Sequence, residues 1–144
     1  GEQIVLCGSD RGFVYNIDTE TSNTDNGYTY NIEILTKRYN PFVDQGVKMS
    51  LGYVDLYTST FDGMGARVDF YLDDTDVISN TQYIDCAGSN KKWSRINASS
   101  QGDNVRMKIT QPEDSDTNFP AGSTSKPIDI HAISLSFKNG GKIL

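Results

Sequence analysis

The side chains that could do chemistry in this 144-residue chain are few and scattered. His131 is the single histidine, and a lone imidazole needs a partner before it can serve as base, metal ligand or switch. No nucleophile or second ligand stands at a telling distance from it. With Asp129 beside it in the polar phase of a strand, His131 reads as a sheet-surface residue hydrogen-bonded locally. Two acidic runs, Asp73-Asp74-Thr75-Asp76 and Glu113-Asp114-Ser115-Asp116, offer carboxylates to a hard cation such as calcium, which takes about six to eight oxygens. Neither matches the helix-loop-helix calcium motif, with its Gly and Glu at fixed places, so solvated turns account for them better. Paired carboxylates for glycoside hydrolysis need a set separation across a cleft, which nothing in the spacing specifies. The expectation is a protein that is not an enzyme and uses no metal or other cofactor.

Trp93 is the single tryptophan, flanked by Lys91, Lys92 and Arg95, with Tyr83 upstream. An exposed indole with tyrosine and guanidinium neighbours is what a sugar-binding platform uses. Trp93, Tyr83 and Arg95 are the candidate ligand-binding residues under that reading, but the preferred reading has Trp93 plugging one end of the sandwich. Asn97-Ala98-Ser99 has the form of a glycosylation acceptor, a triplet that arises by chance and carries no argument here. The two cysteines, Cys7 and Cys86, sit in strand-like settings; one pair makes no disulfide framework, and two buried thiols are the preferred reading.

A net charge of −6 disfavours direct binding to phosphate backbones, which needs clustered lysines and arginines. No apolar run approaches the roughly 20 residues that cross a bilayer, and no signal-peptide pattern opens the chain, so no membrane partner is expected. Hydrophobic residues make up 36 % and charged residues 22 %, with eight Tyr and six Phe; frequent Gly, Ser, Thr, Asn and Asp belong to a β-protein with many turns. The length suits one domain with a core.

These side chains must be positioned by strands. Residues 1–18 read as a β-hairpin, Gln3-Ile4-Val5-Leu6-Cys7 and Phe13-Val14-Tyr15-Asn16-Ile17-Asp18 joined by Gly8-Ser9-Asp10-Arg11-Gly12. Residues 19–27 are polar and read as a linker or loop, leaving 28–144 as the main domain. Within it, 28–39 alternates as one long half-buried strand until Asn40-Pro41-Phe42 breaks it. Residues 48–59 and 66–73 alternate in turn, joined by Asp62-Gly63-Met64-Gly65, which predicts a meander of neighbouring strands. Residues 74–102 give only short fragments at Tyr83–Cys86 and Lys92–Ile96. Asp103–Gln111 alternates clearly, Pro112–Lys126 is a long polar excursion, and 128–137 is a last strand whose inward phase switches near His131-Ala132, where a β-bulge is expected. No segment has helical periodicity. The expected fold is all-β: an antiparallel two-sheet β-sandwich, jelly-roll-like, of about seven to nine strands with an N-terminal β-hairpin.

In order, Gly8-Ser9-Asp10-Arg11-Gly12-Phe13-Val14-Tyr15, the strand Ile32–Tyr39 leading to Asn40-Pro41-Phe42, and the closing strand Ile128–Phe137 with its Gly/Lys tail resemble the tail and neck proteins of short-tailed phages. This is the DNA-stabilisation and tail-nozzle class, in which a β-propeller is followed by a β-sandwich. The first 18 residues resemble the end of a propeller blade, and since a blade cannot stand alone, the chain, which opens on Gly1, is expected to be one domain of a longer structural protein. The resemblance implies a non-enzymatic virion protein whose partners are identical subunits in a ring around a DNA channel and other virion proteins, with no direct nucleic-acid binding by this domain. The rival expectation is a carbohydrate-binding or receptor-binding β-sandwich module with a glycan partner.

Overall fold

The computed structural model describes residues 6–8, 14–16, 24–25 and 28–29 as backbone strands, and 33–59, 65–86, 88, 90–111 and 129–142 more fully. The chain divides into two compact units, Gly1–Tyr30 and Asn31–Leu144. In the first, β1 (Leu6–Gly8) and β2 (Val14–Asn16) form the antiparallel hairpin, with Cys7 opposite Tyr15. A second small ladder pairs β3 (Thr24–Asp25) with β4 (Tyr28–Thr29). Most of the linker expected over 19–27 lies outside the described residues, as does the whole polar excursion at 112–126 with its acidic run at 113–116.

The second unit is a two-sheet antiparallel β-sandwich. Its strands are β5 (Glu33–Leu35), β6 (Val47–Thr58), β7 (Gly65–Leu72), β8 (Ile78–Asp85), β9 (Lys92–Gly102), β10 (Val105–Thr110) and β11 (Ile130–Lys142). One sheet has the order β5-β10-β7-β8 and the other β11-β6-β9. The alternation of 48–59 and 66–73 is real, but the two segments do not pair as a meander: β6 and β7 belong to opposite sheets. Pairing β6 with β9 and β7 with β10 gives the crossing seen in immunoglobulin-like sandwiches, with the first and last strands exchanged between the sheets. Covering both inner faces in this way removes the apolar side of the central strands β6, β7, β9 and β10 from water, which a flat meander could not do.

Inward-facing residues make one core. Met49, Leu51, Val54 and Leu56 of β6 and Ile96 and Ala98 of β9 meet Ala66, Val68 and Phe70 of β7 and Val105, Met107 and Ile109 of β10. Ile84 and Cys86 close one side. In β6 the inward phase changes between Leu51 and Val54. Gly52 is an extra residue against β11, where Leu51 and Tyr53 face the consecutive Phe137 and Ser136, while on the other side Ser99 of β9 takes φ 40° within the same irregularity. In β11 the pairing steps from Ile130–Thr58 to Ala132–Tyr57, leaving His131 as the extra residue where a bulge was expected.

The segment read as one long strand over 28–39 is shorter and more exposed. β5 spans three residues, the chain bulges out at 36–38, and it rejoins β10 through Tyr39 and Val105. Thr36 holds this irregular edge: its N–H donates to Met107 O at 2.9 Å and its Oγ1 accepts Met107 N–H at 3.0 Å. The crossover to the other sheet is pinned by Asn40, which is buried. Its Nδ2 donates to Val47 O (2.9 Å) and Asp103 O (2.7 Å), and its Oδ1 accepts Phe42 N–H (2.8 Å). A short 3₁₀ turn, Val43–Gln45, follows and ends at Gly46 with φ 63°.

Candidate functional site

Strand alternation sends the partners of the core residues to the outer faces, and on the three-stranded sheet they form an ordered array. Reading across β9, β6 and β11, the first row is Trp93, Tyr57 and Ala132, the second Arg95, Asp55 and Ser134, the third Asn97, Tyr53 and Ser136. The Trp93 indole is 55 % exposed and stacks on the Tyr57 ring at 5.0 Å with 24° between planes. Trp93 therefore lies on an open face and does not plug the end of the sandwich.

In the second row Arg95 closes a two-pronged pair with Asp55, Nε to Oδ1 at 2.7 Å and Nη2 to Oδ2 at 2.9 Å, and its Cζ sits 4.0 Å above the Tyr53 ring. The guanidinium is thus held by a carboxylate and by the face of an aromatic ring. The hydrogen bond from Arg95 holds the Asp55 carboxyl below its ordinary value of 3.8, and the same contact raises Arg95.

Beyond Tyr57 stands a corner of Ser59, Asp129 and His131. Ser59 Oγ is 2.7 Å from Asp129 Oδ2 and 2.8 Å from His131 Nε2, and Nε2 is 3.3 Å from the same carboxylate oxygen. The three residue types are those of a hydrolytic triad, but the wiring differs. A triad places serine on one ring nitrogen and the carboxylate on the other, so that the first can accept the serine proton. Here hydroxyl and carboxylate face the same nitrogen: the hydroxyl donates to Asp129 and accepts from Nε2–H. The corner orders hydrogen-bonding groups and leaves serine without a base. The local pairing of His131 with Asp129 is as the sequence indicated.

Tyr83 lies elsewhere. It faces Arg67 on the outer side of the four-stranded sheet, so the sandwich separates it from Trp93 and Arg95, which share the opposite face. That second face is a polar mosaic: Lys108 pairs with Glu33 at 3.0 Å, which raises the lysine, and Arg67 pairs with the buried Asp69 at 3.0 Å. Asp69 Oδ1 also accepts from Thr81 at 2.6 Å, and its Oδ2 is buried with no hydrogen-bond partner among the described residues.

The acidic run 73–76 is the turn between β7 and β8 and is tied down by arginines. Arg106 Nη2 reaches Asp76 at 2.6 Å, while Arg38 lies 3.5 Å from Asp74 and 3.7 Å from Asp76. Asp73 Oδ1 accepts Asp103 N–H at 2.6 Å. Among the described residues, no group of three or more His, Cys, Asp or Glu side chains is placed to hold a metal ion. Cys86 is a buried free thiol, and burial pushes its pKa up.

At the open side of the sandwich, an apolar groove of about 190 Å³ is lined by Thr36, Lys37, Tyr39, Val105, Met107 and Leu135. The Tyr39 ring meets Phe137 edge-on at 5.6 Å across it. Tyr57, Asp55 and Tyr53 carry no site signal in the sequence, because their role depends on which residues β9 and β11 set beside them. In comparisons with known proteins, no family model, no curated protein and no solved structure matches this chain.

Proposed function

We propose that this chain is a non-enzymatic structural domain of a phage tail or neck, resident in the virion and acting by assembly with identical subunits and other virion proteins. The likeness of its hairpin and closing strand to that class supports the reading. The observation that carries it is the uncovered apolar edge of the sandwich. Ile34 and Leu35 of β5 are 42 % and 54 % exposed, Tyr39 is 44 % exposed, and the apolar groove opens beside them. Large apolar side chains left exposed along a sheet edge, with Tyr39 lining an apolar groove, are where soluble proteins meet partners. β11 adds an edge of 13 residues that pairs on one side only among the described residues. A contact between such an edge and a different patch on the next copy is heterologous, and closes into a ring when the rotation permits. The acidic balance agrees with a ring that lets DNA slide past without adhering.

Light scattering over a concentration series tests this, on the chain and on an Ile34→Asp, Leu35→Asp double variant whose β-sheet content is checked by circular dichroism. Assembly predicts a discrete multiple of the 15.9 kDa chain that the folded variant fails to form. A chain that stays monomeric up to millimolar concentration would sink the proposal.

A further inference from the structure

We infer that the outer face of the three-stranded sheet is a binding site for an uncharged oligosaccharide, a role beyond assembly. Three features of that face converge on this ligand class. First, the indole of Trp93 lies exposed and is held in place from behind by Tyr57, so it offers a preset flat surface to the C–H face of a pyranose ring. Second, Arg95 uses Nε and one Nη on Asp55 and sits 4.0 Å over the Tyr53 ring, so the guanidinium and carboxylate are held in place with N–H groups and lone pairs left for a ligand. Successive outward residues on a strand are about 7 Å apart, so a sugar on Trp93 places its hydroxyls over this pair. Third, the β11 column set beside the tyrosines is small, Ala132, Ser134 and Ser136, and carries two hydroxyls.

Charge selects among occupants. The cation of Arg95 is already matched by Asp55 at 2.7 Å, so the guanidinium at the centre of the face is not free to clamp a phosphate, a nucleic acid or an acidic peptide. What it has is paired donors and acceptors around an aromatic plate, which suits a neutral polyhydroxylated ligand. Rigid aromatic and planar side chains lose little freedom on binding, so a modest contact area suffices.

The test uses the full chain on a glycan array, followed by titration calorimetry with cellohexaose, chitohexaose and maltohexaose. At least one saccharide should be retained. Trp93→Ala should weaken it about tenfold or more, Trp93→Phe should keep most of the affinity, and Arg95→Lys, which keeps the charge but loses the planar fork, should weaken it several-fold. Thermal unfolding and solution mass, measured on each variant, should match the parent. An empty array, or binding indifferent to Trp93→Ala, overturns the inference. So does a Trp93→Ala variant whose only change is loss of oligomers, which would make this face a subunit contact.

Discussion

Arg95 and Asp55 face each other across the β6–β9 ladder in a two-pronged ion pair of 2.7 and 2.9 Å, and the arginine holds the carboxyl below its ordinary value of 3.8. A carboxyl whose value is depressed in the folded chain adds stability above its unfolded value, and that contribution is lost as pH falls through the lower folded value. Titration of Asp55 by NMR should show a midpoint below 3.8, and Arg95→Gln should return it to that ordinary value. An unchanged midpoint in the variant would mean that the arginine is not what holds the proton off.

Asn40 satisfies three backbone groups at the β5–β6 crossover, using both its donor and its acceptor. Asn40→Ala should lower the unfolding free energy by about 3 kcal/mol in urea melts. Asn40→Asp should be worse near neutral pH, because it points a carboxylate at the carbonyls of Val47 and Asp103.

Cys86 is fully buried, with its thiol pKa raised above 9.0 by burial. In a Cys7→Ser background it should react with a disulfide reagent about a hundredfold more slowly than free cysteine, the rate being set by opening of the sandwich. A raised value in the folded chain is stabilising below the unfolded value and is lost as pH climbs above it. Thiol reactivity and unfolding should therefore rise together above about pH 9.

Gly102 is required by a close approach. A Cβ there would stand 2.6 Å from Asp73 Oδ1, the oxygen that accepts Asp103 N–H. Gly102→Ala should displace the Asp73 side chain and cost about 1–2 kcal/mol. In an Asp73→Gly background, which removes the obstructing carboxylate, the same substitution should lose most of its effect.

The all-β class and the strands β6, β7 and β10 were legible because their large apolar residues alternate with polar ones. β9 was only glimpsed, at Lys92–Ile96, for the opposite reason: the inward residues after Ile96 are Ala98, Ser100 and Gly102, which bury well but do not stand out by hydrophobicity. β8 lies at an edge, where Ile84 is its one deeply buried position, so its period is faint. The meander failed because alternation reports which side faces the core and says nothing about which sheet a strand joins. The site followed suit. Trp93 and Arg95 are two apart on one strand and share a face, as spacing implies. Placing Tyr83 with them required a topology that the sequence does not carry.

The sandwich is entered through β5 and left through β11, strands at the edges of opposite sheets and anchored very unequally. β5 is joined to β10 by three residue pairs and the bridge at Tyr39, whereas β11 runs along β6 from Ile130 to Lys142. Under traction between these two strands the short one would peel away first, and the long ladder would hold the remaining core closed. The domain thus has one weakly anchored edge and one strongly anchored edge.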